Sequence, residues 1–105
     1  MIDQAQIRYT IGGDELRVAI SGPVDFTAHG QLDDLFVYVS RAQAARVVVD
    51  LRLATLVDTY VLGFLVRLHN HQHRRGRRLV LTEVPPVVAT AIELTGLSNI
   101  LVVDP

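Results

Sequence analysis

The chain of 105 residues contains no cysteine and no lysine. The first absence excludes a disulfide framework and a thiolate site, and it is consistent with a cytoplasmic location. The second leaves all ten basic positions to arginine, a bias that reads as genome composition rather than as chemistry. An excess of one charge is also missing. The formal net charge is −1, so no overall field recruits nucleic acid or a membrane surface. There is no long hydrophobic run: the stretch around Tyr60 to Val66 is far short of the roughly 20 residues that span a bilayer. The start, Met-Ile-Asp-Gln-Ala-Gln, has no basic segment followed by an apolar core, so no secretory signal is expected.

What is present is the material for one core. Half of the residues are hydrophobic, which suits a single domain over residues 1–105. Ile7, Tyr9 and Ile11 alternate with polar or small residues, as do Leu16, Val18 and Ile20, with Gly12-Gly13-Asp14 between them. That pattern predicts a β-hairpin, closed at Gly22-Pro23. Leu32, Leu35, Phe36 and Val39 then form one helical stripe, with Asp33 and Asp34 facing water. Either Asp25 or Thr27 can cap this helix.

The centre of the chain is Val47 to Gly63. A β-branched run, Arg46 to Leu51, predicts a buried strand. It passes through a short connection to Asp58-Thr59, where an apolar helical run begins. Thr59 is the expected N-cap, with Asp58 complementing the helix dipole. Leu62, Leu65, Val66, Leu68 and His69 are expected on or near the buried side. Gly76 is a ready stop within the basic turn His73 to Arg78. Leu79 to Thr82 predicts a strand, Pro85-Pro86 leads into a helix over Val87 to Thr95, Gly96 stops it, and Ile100 to Val103 predicts a last strand. The fold class is α/β: a hairpin, then alternating helices and strands, in a mixed and largely parallel sheet with helices packed on it.

Most catalytic patterns are missing. There is no glycine-rich phosphate loop, no dinucleotide fingerprint and no glycine frame around Ser21, Ser40 or Ser98. The sequence therefore points away from an enzyme and assigns no cofactor. His69 and His73 share a helix face, but a zinc site needs three or four converging ligands, so no metal is assigned. Arg67, Arg74, Arg75, Arg77 and Arg78 read as a solvated helix end, since nucleic-acid binding would want a basic total and an aromatic platform.

Asp50-Leu51, Val57-Asp58-Thr59-Tyr60-Val61-Leu62-Gly63, Gly76-Arg77-Arg78-Leu79-Val80-Leu81, Pro85-Pro86-Val87-Val88 and Leu94-Thr95-Gly96-Leu97 stand in an order that resembles a STAS domain, the fold of the bacterial anti-sigma factor antagonists. Gly22-Pro23-Val24-Asp25 is similar to that family's Gly-x-hydrophobic-Asp turn. The resemblance runs from about Ile7 to Val103. It implies a partner-switching protein that binds an anti-sigma factor serine/threonine kinase and so releases a sigma factor. The kinase then phosphorylates the antagonist, and a metal-dependent serine/threonine phosphatase resets it. By the same resemblance Thr59 aligns with the phosphorylated serine, Asp58 with its acidic neighbour and Asp25 with the adjacent loop aspartate. Partner contacts are expected at Asp25, Phe26, Asp58, Thr59, Tyr60, Val61 and Gly63. Two positions depart from the pattern: Tyr60 replaces a small hydroxyl residue and Val61 a glycine, and both are expected to add bulk to the docking surface. Tyr60 suits a homodimer as well as a heterologous partner. The alternative implied by the same fold is a non-phosphorylated STAS subunit acting as a structural module, for example in a lipid-transport complex, with Thr59 only capping.

Overall fold

The structure, a computed structural model, describes residues 4–104. The hairpin forms as the alternation predicts, from β1 (Gln6–Gly12) and β2 (Glu15–Val24). Three helices follow in alternation with strands: α1 (His29–Ala42), β3 (Arg46–Val57), α2 (Thr59–His73), β4 (Arg78–Thr82), α3 (Pro86–Leu94) and β5 (Val103–Asp104). The sheet order is β1-β2-β3-β4-β5. Only β1 and β2 are antiparallel; every later pair is parallel. Each parallel step moves one strand in the same direction through one helix. Right-handed crossovers then put all three helices on one face of the sheet.

Burial follows from that placement. Along β2 the side chains of Leu16, Val18, Ile20 and Val24 are buried, while Arg17 and Ala19 face out. The core is one cluster in which those residues meet Val47, Val49 and Leu51 of β3, Leu79 and Leu81 of β4, and helix residues such as Leu32, Leu35, Leu65, Leu68 and Ile92. The opposite face carries the register row Arg8, Ala19, Asp50 and Thr82. No described helix is long and apolar enough to cross a membrane.

Three boundaries differ from the sequence pattern. Strand β2 does not close at Gly22-Pro23 but runs to Val24, and β3 does not stop at Leu51 but runs to Val57. The reason is a pair of register slips: Ala19 pairs with Asp50 but Ser21 with Leu53, and Gly22 with Ala54 but Pro23 with Leu56. At the first slip the Asp50 carboxylate accepts the Arg52 N–H at 2.9 Å, satisfying a donor in the bulge. Proline lacks a donor and is tolerated where pairing is already broken. The third difference is β5, two residues long rather than four. Leu97–Asn99 forms a 3-10 turn, and both Ile100 and Leu101 donate their N–H to the Leu97 carbonyl, so only Val103 and Asp104 remain to pair with β4.

Helix α2 is the centre of the helical layer. It buries Val61, Leu62, Phe64, Leu65, Leu68 and Gln72, a wider arc than the stripe read from sequence, which omitted Phe64. Val66 and His69 are half-buried beside it. Its far end stops as expected at Gly76, whose φ of +67° is costly for a residue with a side chain. There the Gly76 N–H donates to the His73 carbonyl at 3.0 Å and the Arg77 N–H to the Gln72 carbonyl at 2.8 Å, a Schellman closure.

Candidate partner-binding and phosphoacceptor site

The site is placed by the ends of the two central strands. Val24 pairs with Val57 in the sheet, and the Asp58 N–H donates to the Val24 carbonyl at 3.3 Å. Asp25 and Asp58 therefore leave the sheet side by side, at the C-terminal ends of β2 and β3.

From that point the two aspartates do similar work. Asp25 caps a 3-10 turn, Phe26–Ala28, that precedes α1. One oxygen of its carboxylate accepts the Thr27 hydroxyl at 2.6 Å and the Thr27 N–H at 3.0 Å. These two donors, the hydroxyl first, hold the Asp25 carboxyl below its usual value of 3.8. Thus Asp25 rather than Thr27 is the cap, and it caps the short turn; α1 itself starts without a side-chain cap. Asp58 is the N-cap of α2, its Oδ1 accepting the Val61 N–H at 3.0 Å. This corrects the expectation that Thr59 would cap. Both residue types cap well, but Asp58 has the extended backbone of a cap and Thr59 is the first helical residue. Thr59 is exposed, and its hydroxyl makes no hydrogen bond to the described residues.

A residue the sequence patterns did not single out organises the surroundings. His29, at the start of α1, places Nε2 at 2.9 Å from Asp58 Oδ2. A carboxylate only accepts, so Nε2 carries the hydrogen. The His29 ring stacks on Tyr60, with centroids 3.8 Å apart and planes 20° from parallel. The Tyr60 hydroxyl donates to Asp33 on α1 at 2.5 Å. That bond, with burial and the Asp33 charge adding to it, raises the phenol above its usual value of 10.0. Arg67 sits 3.9 Å from Asp33 and 4.6 Å over the Phe36 ring. Two polar rungs, His29–Asp58 and Tyr60–Asp33, with stacked rings between them, thus join the first turns of α1 and α2. His29 and Asp33 stand four apart in sequence, which puts them on one helix face; nothing in the pattern says that α2 would meet that face.

The two departures resolve differently. Tyr60 is folded flat against α1 and half-buried. Val61, expected on the docking surface, is fully buried in the core, so its bulk points inward and adds nothing outside. Phe26 is 75% exposed. Gly63 is exposed on α2, and a Cβ there would meet nothing within 4 Å. The hollow in the open face of the sheet, lined by residues including Arg8, Ala19, Asp50 and Leu53, includes none of these residues. His69 and His73 stack with centroids 5.6 Å apart, but among the described residues no group of three or more His, Cys, Asp or Glu side chains could hold a metal ion.

Comparison with known proteins agrees with the architecture. Residues 7–103 match the family described as Mlab, STAS domain. A STAS-domain containing protein of Pseudomonas aeruginosa (strain UCBPP-PA14) is 32% identical over 88 residues, covering 84% of this chain and 86% of its own. Among solved structures, an anti-sigma factor antagonist from Mycobacterium paratuberculosis superposes with a TM-score of 0.87 at 18% identity, covering 98% of this chain and 87% of that one. The phosphorylated form of the Bacillus cell fate determinant SpoIIAA gives a TM-score of 0.75 at 12% identity, covering 95% and 92%. At these identities the structural likeness concerns the fold. With the family match over nearly all of its length and the Pseudomonas relative beside it, this chain belongs to the STAS domain family.

Proposed function

We propose that this chain is an anti-sigma factor antagonist, a binding module rather than an enzyme, whose cytoplasmic partner is an anti-sigma factor serine/threonine kinase. The observation that carries the reading is the setting of Thr59: exposed, free of side-chain hydrogen bonds to the described residues, and first in α2 directly after its capping aspartate. Transfer of the terminal phosphoryl group of a nucleoside triphosphate to its Oγ1, with loss of a proton from the hydroxyl, breaks no contact of the fold. The product adds about 1.5 to 2 negative charges at a helix N-terminus, where backbone dipoles tolerate an anion. In a complex the same charge is crowded against the partner and against Asp25 and Asp58. Two unit charges about 6 Å apart repel by roughly 2–3 kcal/mol at an effective dielectric near 20, about a hundredfold in affinity. A metal-dependent phosphatase then restores the binding form.

The docking surface consists of Asp25, Phe26, Asp58, Thr59 and the outward side of α2 at Gly63, with Tyr60 at its rim. Gly63 supports this choice. A glycine inside a helix costs about 1 kcal/mol relative to alanine, and no packing at this position calls for it; close approach of a partner does.

Intact-mass measurement after incubation with ATP and each anti-sigma kinase of the same genome tests the proposal. One added phosphate on the wild type and none on Thr59→Ala is the expected result. Absence of phosphate on the wild type with every such kinase would overturn it. The bulk of Tyr60 where the family has a small hydroxyl residue favours a second reading, a STAS subunit held permanently in a larger assembly, for example a lipid-transport complex. That reading predicts a stable complex with a transporter ATPase that survives Thr59→Glu.

A further inference from the structure

Three carboxylates, those of Asp25, Asp33 and Asp58, surround the first turns of α1 and α2. A phosphate on Thr59 would join them as a fourth and more highly charged anion. Arg67 is already engaged, beside Asp33 and over the Phe36 ring. The imidazole of His29 remains, touching the capping aspartate adjacent to Thr59.

Facing His29 from the start of α2 are Asp58, bonded to Nε2, and Tyr60, stacked on the ring. From the turn before α1 comes Asp25, its cap, four residues before His29. Asp33 on its own helix reaches it through Tyr60, and Arg67 lies behind Asp33. Nε2 holds its hydrogen against Asp58, so a further proton must enter at Nδ1, which has no hydrogen-bond partner among the described residues. An imidazolium stacked on a phenol ring is stabilised by the ring face.

We propose that His29 is the internal cationic partner of phosphorylated Thr59: a proton taken from solvent at Nδ1 offsets the charge of the phosphate, so that phosphorylation and protonation are coupled at this site. This rests on the reading of Thr59 as phosphoacceptor. By linkage, each event favours the other. The phosphorylated site then carries less net negative charge at pH 6 than at pH 7.5, which makes release from the partner pH-dependent.

The coupling can be measured without a kinase. Phosphothreonine is installed at position 59 by genetic encoding, and the phosphorus resonance is titrated by NMR in the otherwise wild-type chain and in His29→Gln. The glutamine keeps a donor for Asp58 but cannot take up the proton. The second ionisation of a phosphothreonine has its midpoint near pH 6, and it is expected about 0.5–1 pH unit lower with His29 than with the glutamine, a range allowing for solvent screening. His73→Gln, at the far end of α2, should leave the midpoint unchanged. Should His29→Gln not fold, the otherwise wild-type chain suffices: the ring protons of His29 must titrate at a higher midpoint in the phosphorylated chain than in the unphosphorylated one. Equal midpoints in either comparison would overturn the coupling alone. Failure of every anti-sigma kinase to phosphorylate Thr59 overturns the phosphoacceptor reading, and the coupling loses its basis with it.

Discussion

The two ends of α2 are fastened by opposite chemistry. At its N-terminus the bonds to α1 are side chain to side chain, charged or aromatic, and half open to water: Asp58 with His29, Tyr60 with Asp33. At its C-terminus Gln72 is fully buried, and its amide donates to the Ala44 carbonyl at 3.1 Å and the Arg78 carbonyl at 2.9 Å. Those carbonyls lie just before β3 and at the first residue of β4. One side chain thus ties the helix to the starts of two parallel strands, next to the Schellman closure at Gly76. Hydrogen bonds donated by a buried amide N–H are costly to break, whereas exposed polar contacts exchange with water at little cost. The fold is secured where no partner is expected, and the surface proposed to meet a partner is held by contacts that can be rearranged without unfolding the domain.

The contrast can be broken most directly at Gln72. Gln72→Ala removes both of these buried hydrogen bonds and opens a cavity, and should cost about 2–4 kcal/mol. In a domain of this size that lowers the midpoint of thermal unfolding by ten degrees or more. A loss below 1 kcal/mol would mean that the buried end is not the anchor. Tyr60→Phe tests the other end. It removes one half-exposed hydrogen bond and keeps the ring stack, so chemical unfolding should show a loss of only about 0.5–1 kcal/mol. A cost equal to that at Gln72 would erase the distinction between the ends. The smallest expected effect is a pH dependence at His71. Burial, with the Arg75 and Arg77 charges adding to it, holds this imidazole below its usual value of 6.5. The unfolded chain therefore takes up the proton first as pH falls through 6.5, and stability drops from there down to the folded value. His71→Gln should flatten that part of the profile when unfolding midpoints are compared at pH 7 and pH 5.5. An unchanged slope would show that His71 contributes nothing to it.

How much of the fold is legible in the sequence depends on how local each cause is. The alternation in β2 and the stripe Leu32, Leu35 and Val39 in α1 appear in the structure as buried faces, because period and burial are coupled residue by residue. The ends of β2 and β3 were misplaced because a bulge depends on which residue lies opposite in the neighbouring strand, and Asp50 shows its role only when Arg52 folds back onto it. The pattern points one residue too late for the cap of α2 because aspartate and threonine both cap helices, and the choice lies in where the strand releases the chain. Val61 looked like surface because it stands in a motif that a partner is expected to touch, yet the rotation of α2 turns it inward.

The sequence by itself determined the element order, the single core and the meeting of a strand end with a helix start at Asp58 and Thr59, since hydrophobic period, turn residues and charge act over a few neighbouring positions. Only the tertiary structure decided that His29 would reach Asp58 across 29 positions, that Tyr60 would lie down on α1 instead of projecting, and that Gln72 would join two strands. Those contacts arise where separate helices and strands pack against one another, and no local preference of the chain encodes which side chains will face each other there.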